Sequence, residues 1–228
     1  MKKYLLSILM ALPVLVLGSC EKKSEGLTRT TAYAILTLDG ESTVFVDKGT
    51  AYAEPGYTAT IDGKDVKDQV AVTSNVDTNT SGIYSVVYKI TTKDGFSASA
   101  TRTVIVLDSN DNVEGIYALN ASSNRNGTLY GKPFEFMVIN KGDHYEFDDI
   151  LGGWYAQRAG YGSDYAMQAS VSIASDGTIT LIDSYVNGWG DSLNEMSDDS
   201  KYDFETHTFT YSVLYGGNYS FNVSATRK

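Results

Sequence analysis

The stretch "MQASVSIASDGTITLID", Met167 to Asp183, limits the fold more than any other feature of the chain. Met167, Ala169, Val171 and Ile173 recur at every second position, Ser175-Asp176-Gly177 supplies a turn, and an apolar run resumes beyond it. Successive side chains on a strand point to opposite faces, so a period of two marks a half-buried strand. Two such runs about a tight turn make an antiparallel hairpin. The figure recurs in "PFEFMVIN" with "KGDHYEFDD", and in "HTFTYSVL" with "NYSFNVSAT" across Gly216-Gly217, where Phe209, Tyr211 and Val213 share a face. Upstream, Tyr84, Val86, Tyr88 and Ile90 face one way, Lys93-Asp94-Gly95 turns the chain, and Phe96, Ala98, Ala100, Val104 and Val106 return on one face. No segment carries a helical period of useful length, which excludes Rossmann and P-loop chemistry. The chain is read as all-β.

Short runs "AILTL", "TVFV", "YTATI" and "QVAVT" bring the count over residues 33–107 to about six or seven strands, the number expected of an immunoglobulin-like sandwich. Residues 108–115 form a polar linker. Residues 116–228 hold roughly eight strands and read as a second antiparallel β-domain, a small barrel or sandwich, with a meander-like barrel preferred. Ahead of both, residues 1–19 have two lysines and an apolar run too short to span a bilayer, as in a secretory signal. Residues 20–32 are a polar tether. Leu17-Gly18-Ser19-Cys20 resembles the lipobox of bacterial lipoproteins, which implies cleavage before Cys20, lipidation there, and a membrane partner reached through the lipid anchor. Cys20 is also the single cysteine, so no disulfide framework exists.

The full sequence carries 18 Lys and Arg against 28 Asp and Glu, a formal charge of −10, and loss of the leader removes two lysines and no acid. So acidic a surface repels phosphate backbones, which argues against nucleic-acid binding. His144 and His207 stand apart with no metal-binding spacing, no GxSxG elbow is present, and Asp148-Asp149 would point to opposite faces. No catalytic residue is assigned, and the chain is expected not to be an enzyme.

Aromatic content is uneven. Residues 116–228 hold both tryptophans and 11 of the 17 tyrosines. Trp154, Tyr155, Tyr161 and Tyr165 lie in the glycine-rich "YEFDDILGGWYAQRAGYGSDYAM", and Tyr185 and Trp189 in "DSYVNGWGDSLNEMSDDS"; neither stretch fits a strand or helix period. Tyrosine and tryptophan stack on sugar rings with one end apolar and the other wet, so these six are candidate glycan-binding residues. The alternative, that they plug a barrel end as core, stays open at this stage.

"GTAYAEPGYTATIDGKDV" and "VAVTSNVDTNTSGIYSVVYKITTKDGFSASATRTVIV", with the Glu54-Pro55-Gly56-Tyr57 turn and the Gly82-x-Tyr84 strand start, resemble the bacterial surface Ig-like domain. That resemblance implies a spacer or adhesive module. The second half resembles the C-terminal domain of Bacteroides-type two-domain lipoproteins associated with polysaccharide uptake. It implies an outer-membrane lipoprotein on the cell surface or the periplasmic face, and an uptake complex as partner. A structural or adhesive protein that binds another protein is the rival reading. Asp108, Asn110 and Asp111 resemble the inter-domain linker of cadherins, which implies calcium as a candidate cofactor. Because every segment after Cys20 reads as soluble, Cys20→Ala should move the protein from the membrane fraction to the soluble fraction without changing its fold, as fractionation and circular dichroism would report.

Overall fold

The computed structural model describes residues 31–228; Cys20 and most of the tether lie outside the described residues. Residues 34–107 form two sheets. One joins Ala34–Leu38, Tyr57–Ile61 and Lys64–Asp65; the other runs Thr43–Asp47, Ser97–Leu107, Gly82–Thr91, Ala71–Ser74, with Thr43–Asp47 parallel to its neighbour. Val86, Tyr88, Val104 and Val106 are buried between them and pack on Leu36, Leu38 and Tyr57. This is the expected immunoglobulin-like sandwich.

Two residues depart from the expected pattern. Phe96, at the hairpin turn, lies just beyond the sheet and stays exposed, its ring 4.9 Å from that of Tyr33. Arg102 fills the inward position between Ala100 and Val104, a charge at a core site, and is 0% exposed. Its guanidinium is satisfied throughout: Nε donates to Glu54 at 3.0 Å, Nη2 to the carbonyls of Asp39 at 2.8 Å and Gly56 at 2.9 Å, and Nη1 to the carbonyl of Glu41. Tyr52 donates to the other oxygen of Glu54. Arg102 therefore pins the Glu54-Pro55-Gly56-Tyr57 turn against the Asp39–Glu41 loop.

The second domain is a curled antiparallel sheet. Gly115–Leu119 lies between Glu135–Asn140 and Tyr219–Arg227; the path continues through Tyr145–Phe147, Met167–Ile173 and Ile179–Val186 on one side and Thr208–Tyr215 on the other. The edges meet at a bridge between Thr178 and Lys201, with Ile179 N–H on the Ser200 carbonyl at 3.1 Å and Tyr202 N–H on that of Gly177 at 2.8 Å. The meander thus closes as a small barrel. An aromatic stack fills it: Tyr117 lies parallel to Phe136 at 5.6 Å and Phe136 to Phe147 at 5.4 Å, while Phe209 meets Tyr117 and Phe147 edge-on at 4.7 and 5.0 Å. Much of the aromatic excess is therefore core.

Ile105 and Leu107 of the first domain pack on Met137 and Ile139 of the second, so the polar linker crosses an apolar seam. Among the described residues no helix is long and apolar enough to cross a membrane. Glu54, the carboxylate paired with the buried guanidinium, is itself 30% exposed, so water can reach it when its partner is removed. Arg102→Met also leaves the carbonyls of Asp39 and Glu41 without their donor, while that of Gly56 keeps the Asp39 N–H at 3.0 Å, so it should lower stability by about 1–3 kcal/mol in chemical denaturation; a loss below about 1 kcal/mol would mean that water replaces the guanidinium.

Candidate functional site

The loop that leaves Tyr145–Phe147 is closed by one carboxyl. Asp149, 3% exposed, accepts the N–H groups of Leu151 and Gly153, each at 3.1 Å, and that of Met167 at 3.3 Å. It therefore holds the first turn of the loop to the strand where the loop ends. Ile150 N–H adds a bond to the Met167 carbonyl at 2.8 Å. Between these anchors Trp154–Arg158 forms a single π-helical turn, with Arg158 N–H on the Gly153 carbonyl at 2.8 Å and Ala159 N–H on that of Trp154 at 3.0 Å. Such five-residue spacing is rare and gathers at functional sites. It also explains why the stretch shows neither a 3.6 nor a 2.0 period. Gly153 opens the turn at φ +80°, a left-handed conformation that glycine adopts without strain.

The structure divides the six aromatic candidates. Trp154 is corrected: it is 6% exposed and belongs to the core, edge-on to Tyr130 at 4.9 Å and Phe221 at 6.1 Å, with the Arg158 guanidinium 4.1 Å from its ring centre. An indole of that size caps the open end of the barrel, and burial outweighs presentation. Tyr155, Tyr161, Tyr165 and Trp189 do come together. Trp189 lies 4.7 Å from Tyr165, 4.8 Å from Tyr155 and 6.1 Å from Tyr161, all near edge-on, while Tyr155 and Tyr161 are nearly parallel at 6.3 Å. Tyr161, Tyr165 and Trp189 line an open depression of about 510 Å³, with Tyr161 55% and Trp189 42% exposed. Tyr185 lies apart: it pairs with Gln168 and lines a cleft of about 230 Å³ at the domain junction with Ile83, Asp148 and Asp183.

Two contacts hold the second loop in place, one to the first loop and one to the end of the strand Thr208–Tyr215. Gly188 donates its N–H to the Asp164 carbonyl at 2.7 Å, and a Cβ on it would stand 2.5 Å from the Tyr165 ring, so only glycine permits this approach. Asp191 accepts the Tyr215 hydroxyl at 2.8 Å, and the Tyr215 ring sits 6.1 Å from Trp189. Arg125 and Tyr219 extend the patch beyond Tyr155 and were not among the candidates read from sequence. The Arg125 guanidinium is 3.8 Å from the Tyr219 ring centre and 5.4 Å from that of Tyr155. The signal for them is the Asn126-Gly127 pair, both at positive φ, which turns Asn124–Arg125 back onto Thr128–Leu129.

The linker residues do not fit a calcium ion. Asp108 accepts the Asn110 N–H at 3.0 Å and faces Lys48 at 3.5 Å. Asp111 uses one oxygen for the N–H groups of Val113 and Glu114, both at 2.7 Å, and the other for the Asn140 amide at 2.6 Å. A hard cation needs six to eight converging oxygens. These are spent on local turns and on the second domain, and no cluster of three or more His, Cys, Asp or Glu that could hold a metal is found among the described residues.

Burial pushes the Asp149 carboxyl up to about 7, the charge of Asp148 adds to this, and the backbone N–H donors pull against it. Burial likewise raises Asp148 to about 6. A carboxyl raised on folding from 3.8 contributes stability that is complete below about pH 4 and lost as the pH passes its folded value. Stability should therefore fall as the pH rises from about 4 through 7. Asp149→Asn should flatten that fall and lose about 1–3 kcal/mol, because an amide NH2 cannot accept the N–H that faces it; denaturant titrations across pH read both effects.

A family model for the bacterial surface protein Ig-like domain matches residues 36–106, and one for a C-terminal domain matches residues 107–227. The crystal structure of the lipoprotein BT2262 from Bacteroides thetaiotaomicron aligns at 36% identity over 86% of this chain and 100% of that one, with a TM-score of 0.72. Two structures from Clostridium perfringens ZmpB, its M60 catalytic domain with CBM51-1 and CBM51-2, and CBM51-2 in complex with GlcNAc together with INT domains, align at 16% and 18% identity. They cover 87% and 85% of this chain and 23% and 43% of theirs, and TM-scores of 0.29 and 0.28 give them no weight. No curated protein matches. An Ig-like sandwich followed by a closed β-meander, matched along nearly all of its described length, places this chain in the family of the Bacteroides lipoprotein BT2262.

Proposed function

We propose that the protein is a non-enzymatic, membrane-anchored accessory lipoprotein that binds glycan at the outer end of its second domain and passes it to an outer-membrane uptake complex. The observation that carries this reading is the open depression of Tyr161, Tyr165 and Trp189. Aromatic side chains are normally drawn into a core, and this domain buries many of them; a contiguous group left at the surface and braced by two loops is arranged for contact. Stacking on the C–H faces of sugars suits tyrosine and tryptophan, whose hydroxyl and N–H groups remain wetted at the rim. Asp149 spends its oxygens on three backbone N–H groups inside the loop, which suits a structural carboxyl and not a hydrolytic one. In this arrangement lipid on Cys20 would hold the chain, and the Ig-like domain would space the patch from the bilayer.

A glycan array probed with residues 21–228 tests the reading. Trp189→Ala and Tyr161→Ala should weaken binding by about 2 kcal/mol, roughly thirtyfold, with the melting temperature almost unchanged. Trp154→Ala should instead cost about 3–5 kcal/mol of stability, as removal of a core aromatic does. An array with no bound glycan would sink the glycan reading and favour a protein-binding adhesin.

A further inference from the structure

Four arginines lie among the described residues, and three have oxygen acceptors. Arg102 binds Glu54 and three carbonyls, Arg158 donates to the Tyr130 carbonyl at 3.1 Å, and Arg227 donates to those of Asp111 and Glu114 at 2.8 and 3.3 Å. Arg125 differs. Its guanidinium is half-buried among aromatic rings, 3.8 Å from Tyr219, 5.3 Å from Trp154, 5.4 Å from Tyr155 and 5.6 Å from Phe221. No carboxylate among the described residues comes within ion-pair distance of it. No protein oxygen there accepts its N–H groups either.

A guanidinium carries five N–H donors in a planar fork that matches carboxylate and sulfate oxygens. Among the described residues Arg125 is the one arginine whose guanidinium donors meet no protein acceptor, although it is half-buried. Cation–π contact with Tyr219 fixes the plane of the fork without using its hydrogen bonds. Tyr155 then links it to the depression, since one ring lies 5.4 Å from Arg125 and 4.8 Å from Trp189. Stacking surface and anion fork are thus joined through the one ring of Tyr155.

Resting on the reading of the aromatic patch as a glycan site, we infer that Arg125 makes this site selective for acidic glycans, whose carboxylate or sulfate it receives while Trp189 and its tyrosines stack on an adjacent ring. Affinity electrophoresis of residues 21–228 in gels containing polygalacturonate, chondroitin sulfate, unsulfated chondroitin, dextran or poly-glutamate tests this. Wild type should be retarded by an acidic polysaccharide at least tenfold more strongly than by dextran, and less so as salt rises. Retardation by polygalacturonate assigns the carboxylate; retardation by chondroitin sulfate but neither by polygalacturonate nor by unsulfated chondroitin, which keeps the glucuronate carboxylate, assigns the sulfate. Arg125→Gln should lose the preference and Arg125→Lys, which keeps the charge without the planar fork, should retain part of it, with melting curves confirming that both variants fold. Equal retardation of wild type and Arg125→Gln, or equal retardation by dextran, overturns the selectivity and leaves glycan binding standing. Retardation by poly-glutamate with every polysaccharide refused overturns the glycan class. No retardation by any polymer overturns the binding site itself.

Discussion

The loop-bearing end of the second domain depends on the Asp149 carboxyl. By taking the N–H groups of Leu151, Gly153 and Met167, it joins the start of a long loop to the strand that resumes after it. Without that clasp the π-helical turn has no fixed origin, since its first carbonyl acceptor is Gly153 itself. The same carboxyl is buried, so the clasp is held at the expense of desolvation, which is why burial raises its pKa. The anchoring of the loop and the unusual titration thus have one source.

From that origin the loop performs two tasks with neighbouring residues. Trp154 turns inward, and the Tyr130 hydroxyl reaches the Leu151 carbonyl at 2.5 Å while that of Tyr211 reaches Ile150 at 2.8 Å, so the barrel end is sealed by rings whose polar tips bond the loop backbone. Tyr155 bridges inside and outside, its ring 5.9 Å from Phe221 and 4.8 Å from Trp189. Tyr161 and Tyr165 then lie beyond the seal. Buried ring and exposed rings are consecutive parts of one element, so the packing of the core also braces the rings at the surface.

The Ig-like domain and the linker set where this patch is carried. Asp111 joins the linker turn to Asn140, while Ile105 and Leu107 meet Met137 and Ile139. Contacts of both kinds across the junction favour a fixed spacer over a freely swinging one.

How much of this was legible in the sequence follows from the range of the forces involved. Alternation in "MQASVSIA" or "HTFTYSVL" reports which face is apolar, and turn glycines report where strands reverse, so both domains and their hairpins could be read locally. Arg102 shows the first limit: its parity puts it inside, yet only the meeting of Glu54, Asp39, Glu41 and Gly56 around it makes burial tolerable. Trp154 and Trp189 show the second. Both follow glycine in irregular segments, and nothing local separates them; one faces a hole in a barrel and the other a neighbouring loop. Likewise Asp108 and Asp111 read as cation ligands until their oxygens meet Lys48 and Asn140. Sequence by itself determined the strands, the two-domain order and the family. Which aromatic rings are buried, which carboxyls are spent and which arginine is left open was decided by tertiary structure, because each depends on partners tens of residues away that no period in the chain records.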